Sequence, residues 1–283
     1  MERVVYVNNE FVPASEAKVS VFDRGFTFAD SVYEVLPVYK GVPYFVDEHI
    51  HRLENSLREV KIVKPKMDWN SLFEELIHRN GGGDLQIYLQ ISRGNENVRK
   101  HDIPSLLTPT IVAYTIHNSY PSRSEKEKGL KAKLVDDVRW ARCNIKATAL
   151  LANVLLNDEA MSDKAHTAIL VRDNFITEGS ASNVFIVDEN SIIKTPPKNN
   201  LCLPGITRQI TLDLISKLNL AYEEGPVSVA ELQKANEVWI TSTTKELFPV
   251  TQIDNIPVGK GTAGPLWSLL DDEYQQLIKP KND

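Results

Sequence analysis

Cysteine is almost absent: the 283 residues hold only Cys143 and Cys202, too few for a disulfide framework and without the C-x-x-C spacing of a zinc site. No apolar run approaches the ~18 residues of a membrane span. The first residues, Met1-Glu2-Arg3-Val4-Val5-Tyr6, lack the apolar core of a secretion signal. Basic residues are not in excess, since 32 Lys and Arg stand against 38 Asp and Glu, a net charge of −6. A generic nucleic-acid binder needs spare cations to neutralise phosphates, so that class is excluded, although a local basic pocket for a small anion is not. Internal repeats and low-complexity segments are missing too. What remains, with 42% hydrophobic and 25% charged residues, is a chain able to bury a proper core. At ~150 residues per domain its length implies about two domains, and the expected setting is the cytoplasm.

Strands are predicted over residues 4–8 and Val32–Tyr39. Ile50, Leu53, Leu57 and Val60, spaced 3, 4 and 3, mark one face of a helix. A second helix covers Trp69–His78 and stops at Gly81-Gly82-Gly83. Leu85, Ile87, Leu89 and Ile91 alternate with Gln86, Tyr88, Gln90 and Ser92, a period-2 strand with one buried face. Leu106–Ile116 reads as a further strand. From His117 to Lys126 the pattern collapses into polar and turn-forming residues, which predicts a linker over 119–127. It would join a smaller N-terminal domain (1–118) to a larger C-terminal one (128–283). Beyond it, a strand is predicted near Lys131–Asp136 and a helix over Thr148–Lys164. Three short strands, Ala168–Arg172, Asn183–Val187 and Ile192–Thr195, read as an antiparallel meander. A helix opens near Thr207 with Ile210, Leu214 and Leu218 inside, and Val238–Thr241 is a buried strand. The fold class is therefore α/β (mixed α+β) in two domains.

Gly259-Lys260-Gly261-Thr262-Ala263-Gly264 is a literal G-x-G-x-x-G, but a dinucleotide site needs a βαβ unit around it. Only 19 residues follow Gly264, too few for a second strand, so the segment reads as a loop. His49 and His51 point about 200° apart on a helix and cannot share a metal; no metal is expected. Two segments look like anion cradles. Leu203-Pro204-Gly205-Ile206-Thr207 runs into a helix whose first amides and dipole favour a phosphate. Thr241-Ser242-Thr243-Thr244 offers hydroxyls and amides after a buried strand. Taken alone, each is also ordinary capping chemistry. Lys146, at a predicted strand-to-helix junction amid apolar residues, is either a solvated junction residue or a Schiff-base lysine, whose pKa falls on desolvation. Thr177-Glu178-Gly179-Ser180 sets a carboxylate between strand and turn. Composition and spacing lead as far as a phosphate-binding α/β enzyme with a candidate catalytic lysine.

Six segments, in order, carry a more specific likeness. They are Asp23-Arg24-Gly25-Phe26 with Val32-Tyr33-Glu34-Val35; Glu48-His49-Ile50-His51-Arg52-Leu53; and Arg139-Trp140 with Cys143-Asn144-Ile145-Lys146. The others are Thr177-Glu178-Gly179-Ser180-Ala181-Ser182-Asn183-Val184-Phe185, Gly205-Ile206-Thr207-Arg208 and Thr241-Ser242-Thr243-Thr244. Together they resemble the fold-type IV pyridoxal-phosphate aminotransferases over nearly the whole chain, and within that family the bacterial D-amino-acid (D-alanine) transaminases.

The resemblance implies pyridoxal 5'-phosphate as cofactor, held between the two domains. It implies that Lys146 is catalytic, carrying the cofactor as a Schiff base and shuttling a proton between the substrate Cα and the cofactor's C4′. Glu178 would face the pyridine nitrogen and keep it protonated. Arg52 would grip the phosphate, helped by the Ile206 and Thr207 amides and by Ser242 and Thr243. Tyr33 would line the substrate side, with Leu203 and Trp140 shaping the cofactor's surroundings. Arg99 and His101 resemble the carboxylate trap of the D-enzymes, which reaches across a homodimer interface to the neighbouring site. The implied reaction moves the amino group of D-alanine and other D-amino acids to 2-oxoglutarate, giving a 2-oxo acid and D-glutamate, with no nucleic-acid or membrane partner. The alternatives are a branched-chain L-amino-acid aminotransferase, an aminodeoxychorismate lyase and a non-enzymatic vitamin B6 binding protein. The first two generally lack the Arg-x-His pair, and Lys146, Glu178 and that pair argue against the third. Departures from the pattern are Ala29 and Ser31 in place of glycines, Ala181 in place of a serine, and a 93–99 loop one residue longer. They bear on substrate breadth.

Overall fold

The computed structural model describes residues 2–279, and the chain divides into two compact units. The first takes residues 2–119 with 145–149, and the second takes 120–144 with 150–279.

In the first unit β1 (Val4–Val7) and β2 (Glu10–Pro13) precede a short helix α1 (Arg24–Phe28), β3 (Ser31–Tyr39) and β4 (Val42–Pro43). Helices α2 (Val46–Glu59) and α3 (Trp69–Arg79) follow, then β5 (Leu85–Ser92) and β6 (Thr110–His117). The strand expected from Leu106 begins only at Thr110, after Pro109, which has no N–H to give a ladder. These six strands form one antiparallel sheet in the order β2-β1-β6-β5-β3-β4. Register decides which residues share a face: Leu36 lies opposite Ile87, Glu34 opposite Leu89 and Val32 opposite Ile91. That face meets Leu53 and Leu57 of α2 and Leu72, Phe73 and Leu76 of α3 in a continuous core. Fully burying each such side chain is worth about 1.5–3 kcal/mol. The other face of β5 is more covered than simple alternation implies. Gln86 is buried, and Tyr33, Tyr88 and Tyr114 stack in a row with ring centroids 5.7 and 4.9 Å apart. Cross-strand aromatic pairs shield this face.

The second unit begins with α4 (Arg123–Glu127), β7 (Leu130–Asp136), α5 (Leu151–Ser162), β8 (Thr167–Arg172) and β9 (Phe175–Gly179). Next come β10 (Asn183–Val187), β11 (Ile193–Thr195), α6 (Ile206–Lys217), β12 (Tyr222–Glu224) and α7 (Val229–Lys234). It ends with β13 (Glu237–Ser242), β14 (Glu246–Ile253), β15 (Ile256–Pro257) and α8 (Pro265–Leu277). Its mixed sheet runs β12-β11-β10-β13-β14-β7-β8-β9, with β15 on β14. The antiparallel meander expected over 168–195 is not formed. Asp173 and Asn174, both at positive φ, turn β8 straight back onto β9, a strand the sequence reading omits, while β10 pairs with β11 and β13.

Residues 122–127 are ordered: Ser122 and Glu125 form a capping box on α4. Lys126 is buried, its Nζ 2.5 Å from Glu246 Oε2 and 2.6 Å from Asp271 Oδ1. The glycine motif at 259–264 is a loop that ends as the N-cap of α8. Among the described residues, no helix is long and apolar enough to cross a membrane.

Candidate functional site

In the first unit the chain around Lys146 behaves as an extra edge on β3. Val32 bridges Ala147, Tyr33 N–H donates to the Lys146 carbonyl at 3.0 Å, and Thr148 N–H donates to the Ser31 carbonyl at 3.0 Å. Lys146 N–H reaches Ser56 Oγ of α2 at 3.2 Å. Ile145 and Ala147 enter the core, so alternation sends Lys146 to the tyrosine face, its Nζ 4.1 Å from the Tyr33 ring centroid. This corrects the expected strand-to-helix junction: because residues 145–148 pair with β3, α5 starts only at Leu151. The two departures before Tyr33 are accommodated. Ser31 Oγ bonds Thr148 Oγ1, and Ala29 caps α1 in the left-handed conformation at φ 53°, where a glycine would be less strained.

Beneath β3 a buried cluster holds Arg52. Its Nε lies 2.7 Å from Glu34 Oε1 and its Nη2 lies 2.8 Å from Glu34 Oε2, a bidentate fork. His49 Nδ1 lies 2.7 Å from the same Oε2. Burial works to raise the Glu34 carboxyl, yet the Arg52 charge and hydrogen bonds, joined by His49, hold it well below the usual carboxylate range. Burial also pushes His49 down, and the positive charges of Arg52 and Lys146 act the same way against Glu34. An ionised Glu34 can only accept, so a neutral His49 carries its proton on Nδ1. His51 is exposed. Among the described residues no group of three or more His, Cys, Asp or Glu is arranged to hold a metal.

In the second unit, Glu178 sits buried near the end of β9 and pairs with Arg139. Asp137 holds that arginine from the other side, at 2.9 Å to both Nε and Nη2. Glu178 Oε2 accepts Leu203 N–H at 2.9 Å and Asn183 Nδ2 at 3.3 Å. Burial pushes the Glu178 carboxyl up, against the downward pull of Arg139.

Asn183 organises what surrounds this carboxylate. Its Nδ2 also donates to the Leu203 carbonyl at 2.9 Å, and a Cβ on Gly205 would lie 1.9 Å from its Oδ1. Glycine thus lets the start of α6 approach β10. Gly205 caps α6 without a side-chain hydrogen bond, so the first-turn amides of Ile206 and Thr207 lack the partner a Ser or Asp cap supplies. Register places Asn183 opposite Thr241, which brings Ser242 and Thr243 to the same end of the sheet. Thr241 Oγ1 is buried without a hydrogen-bond partner among the described residues. Trp140 is exposed.

Arg99 and His101 form a separate cluster in the first unit. Both are exposed, and both meet the Phe28 ring, the Arg99 guanidinium at 4.8 Å and the His101 ring at 5.3 Å. Arg24 stands over the same ring at 4.8 Å. Its Nη1 donates to the carbonyls of Lys100 at 2.7 Å and Asp102 at 3.2 Å, on either side of His101.

The second unit's donors fit a phosphorylated pyridine. An uncapped helix start and a hydroxyl-rich turn suit a dianion, and a buried carboxylate kept from protonation by Arg139 suits a protonated ring nitrogen. Sequence reasoning missed Glu34, the bonding role of His49, and Asn183. The signals were there: Glu34 is an ionisable residue inside an apolar strand, and His49 precedes Arg52 by three positions on one helix face.

A family model described as amino-transferase class IV matches residues 31–253. The chain is similar to the D-alanine aminotransferase of Bacillus licheniformis, 42% identical over 276 residues, covering 97% of this chain and 96% of that one. It is likewise similar to the D-alanine aminotransferase of Staphylococcus aureus (strain COL), 37% identical over 287 residues and 99% of both chains. Among solved structures it resembles a T.th. branched-chain amino acid aminotransferase with pyridoxamine 5'-phosphate, at TM-score 0.86 and 26% identity over 98% of this chain and 94% of that one. The Escherichia coli branched-chain amino acid aminotransferase shares the fold, with TM-score 0.89 and 24% identity over 100% of this chain and 97% of that one.

Proposed function

Because the chain belongs to the class IV aminotransferases, which transfer amino groups with pyridoxal 5'-phosphate, we propose that it acts on D-amino acids. In this reading it moves the amino group of D-alanine to 2-oxoglutarate, giving pyruvate and D-glutamate. The observation that carries the reading is the convergence of Arg99 and His101 on the Phe28 ring, in a loop that Arg24 pins on both sides of His101. A substrate carboxylate taken out of water needs such charge-assisted donors. The relatives named D-alanine aminotransferase support the same substrate hand. The pair would serve the site of a second copy, which makes the active form a homodimer.

When bound, the pyridoxal group supplies an aldehyde that captures the amino group and a ring that draws electron density from Cα. Lys146 anchors the aldehyde carbon and moves the proton at the substrate Cα. Glu178 holds a proton at the ring nitrogen, and Arg139 keeps that carboxyl from retaining the proton for itself. Arg52, the Ile206 and Thr207 amides, Ser242 and Thr243 bind the phosphate. Tyr33, backed by Tyr88, confines the substrate side and excludes water.

The branched-chain L-amino-acid reading draws support from the solved structures of that name. A spectral titration of the yellow holoenzyme separates the two. D-alanine should bleach the cofactor's absorbance and 2-oxoglutarate should restore it, with L-leucine inert. Bleaching by L-leucine and not by D-alanine would reverse the assignment.

A further inference from the structure

We propose that Glu34 and His49 are positioning residues which hold the Arg52 guanidinium in the orientation that receives the cofactor phosphate. This rests on the assignment of Arg52 to that phosphate. An arginine on a helix face has four rotatable side-chain bonds, and a loosely held guanidinium must lose that freedom when it binds. Here the freedom is already gone. Glu34 takes Nε and Nη2 through separate oxygens, 2.7 and 2.8 Å away, which fixes both the plane and the rotation of the fork. His49, one helical turn before Arg52, holds Oε2 at 2.7 Å and keeps the carboxylate from rotating away. All three side chains are buried.

Position along the strand adds to the case. Glu34 is the next residue after Tyr33, whose N–H bonds the Lys146 carbonyl. One short piece of β3 thereby sets the catalytic lysine from one residue and the arginine from the next. A purely structural ion pair at this place would be a poor stability device, because burying both charges costs about as much as their attraction returns.

Coulomb's law alone argues the other way. Glu34 carries a negative charge close to the group that must receive a dianion, so its removal should tighten phosphate binding if charge were all that mattered. Orientation of the guanidinium outweighs that repulsion.

The test uses the full chain freed of cofactor, titrated with pyridoxal 5'-phosphate and with pyridoxal, which lacks the phosphate. Glu34→Gln presents an NH2 to the arginine donors and cannot close the fork. It should weaken binding of pyridoxal 5'-phosphate about tenfold or more, equivalent to about 1.4 kcal/mol, and leave pyridoxal within about twofold. His49→Gln should produce a smaller loss with the same selectivity, and it carries the test if Glu34→Gln does not fold. In an Arg52→Met background, Glu34→Gln should add no further phosphate-selective loss. Equal weakening toward both ligands, or tighter binding of pyridoxal 5'-phosphate, overturns the positioning role. If Arg52→Met itself leaves the phosphate preference intact, the assignment of Arg52 fails and the inference falls with it. If Arg52→Met abolishes the preference while Glu34→Gln and His49→Gln retain it, only the positioning role fails.

Discussion

Two buried carboxyls, Glu34 and Glu178, are driven in opposite directions, and their partners explain why. Glu34 receives a bidentate guanidinium and a histidine N–H, so pairing outweighs desolvation. Glu178 has one guanidinium, which Asp137 already holds, and two neutral donors, so burial prevails. Glu178→Gln removes the charge and keeps the size. Turnover should fall well before affinity for the cofactor does, and parallel loss of both in one titration series would mark Glu178 as a folding residue. His49 has a consequence for stability. Its proton affinity is lowered in the fold from an ordinary value of 6.5, so below that pH the unfolded chain takes up a proton that the folded chain refuses. Stability should therefore drop as pH falls through about 6.5. His49→Gln should flatten that part of the profile, read as the urea midpoint at about pH 7.5 and pH 5; an unchanged slope would show that His49 does not titrate there. Burial also pushes the thiols of Cys143 and Cys202 up to about 11 and about 12. The native protein near pH 8 should resist a thiol reagent that reacts promptly once the chain is unfolded.

Individual elements position the chemistry through their ends. The start of α6 depends on a missing Cβ: at Gly205 the backbone φ of −65° suits any residue, so the cost of Gly205→Ala is a clash with Asn183, not strain. Overpacking of this kind costs typically about 1–3 kcal/mol. The variant should lose stability of that order by urea denaturation and bind pyridoxal 5'-phosphate more weakly. Unchanged cofactor affinity would separate the helix start from the phosphate. The 93–102 loop depends on Arg24 in a comparable way, since Asp30 ties Arg24 and Arg93 together behind it. Arg24→Met should speed amide exchange over residues 95–102 and lower kcat/KM for D-alanine, with the cofactor's absorbance intact. Exchange that stays slow would mean other contacts hold the loop.

For the whole molecule, the issue is whether one chain completes a site. Phe22 and Phe26, on either side of Arg24 in sequence, and Ile103, two residues after His101, are exposed large apolar residues, which the proposed homodimer would cover. Losing one partner of a desolvated charge pair costs about 2–5 kcal/mol, so Arg99→Ala should lower kcat/KM for D-alanine roughly 30- to 4000-fold. If the active form is the proposed homodimer with a shared site, mixing Lys146→Ala with Arg99→Ala subunits should give a dimer in which one site carries both defects and the other carries neither. Activity should return in proportion to the mixed dimers formed. Mixed dimers that remain inactive would show that Arg99 does not act in the neighbouring site.

Local patterns were legible in the sequence because they are written among near neighbours. The apolar face of α2, the alternation of β5 and the helix stop at Gly81 follow from periods of 3.6 and 2 together with turn chemistry. The ordered segments around Lys146, Glu178 and Thr241 were enough to indicate the family. What the residues around Lys146 pair with was not legible, nor was the fork between Glu34 and Arg52, 18 positions apart, nor the pairing of Asn183 with Thr241. The strand β9 was hidden because the polar residues of its second half, Thr177 and Glu178, are buried through partners distant in the chain. Hydrophobic periodicity specifies which face of an element turns inward. Which side chains then meet is decided by strand register and helix packing, and those depend on every element that shares the core.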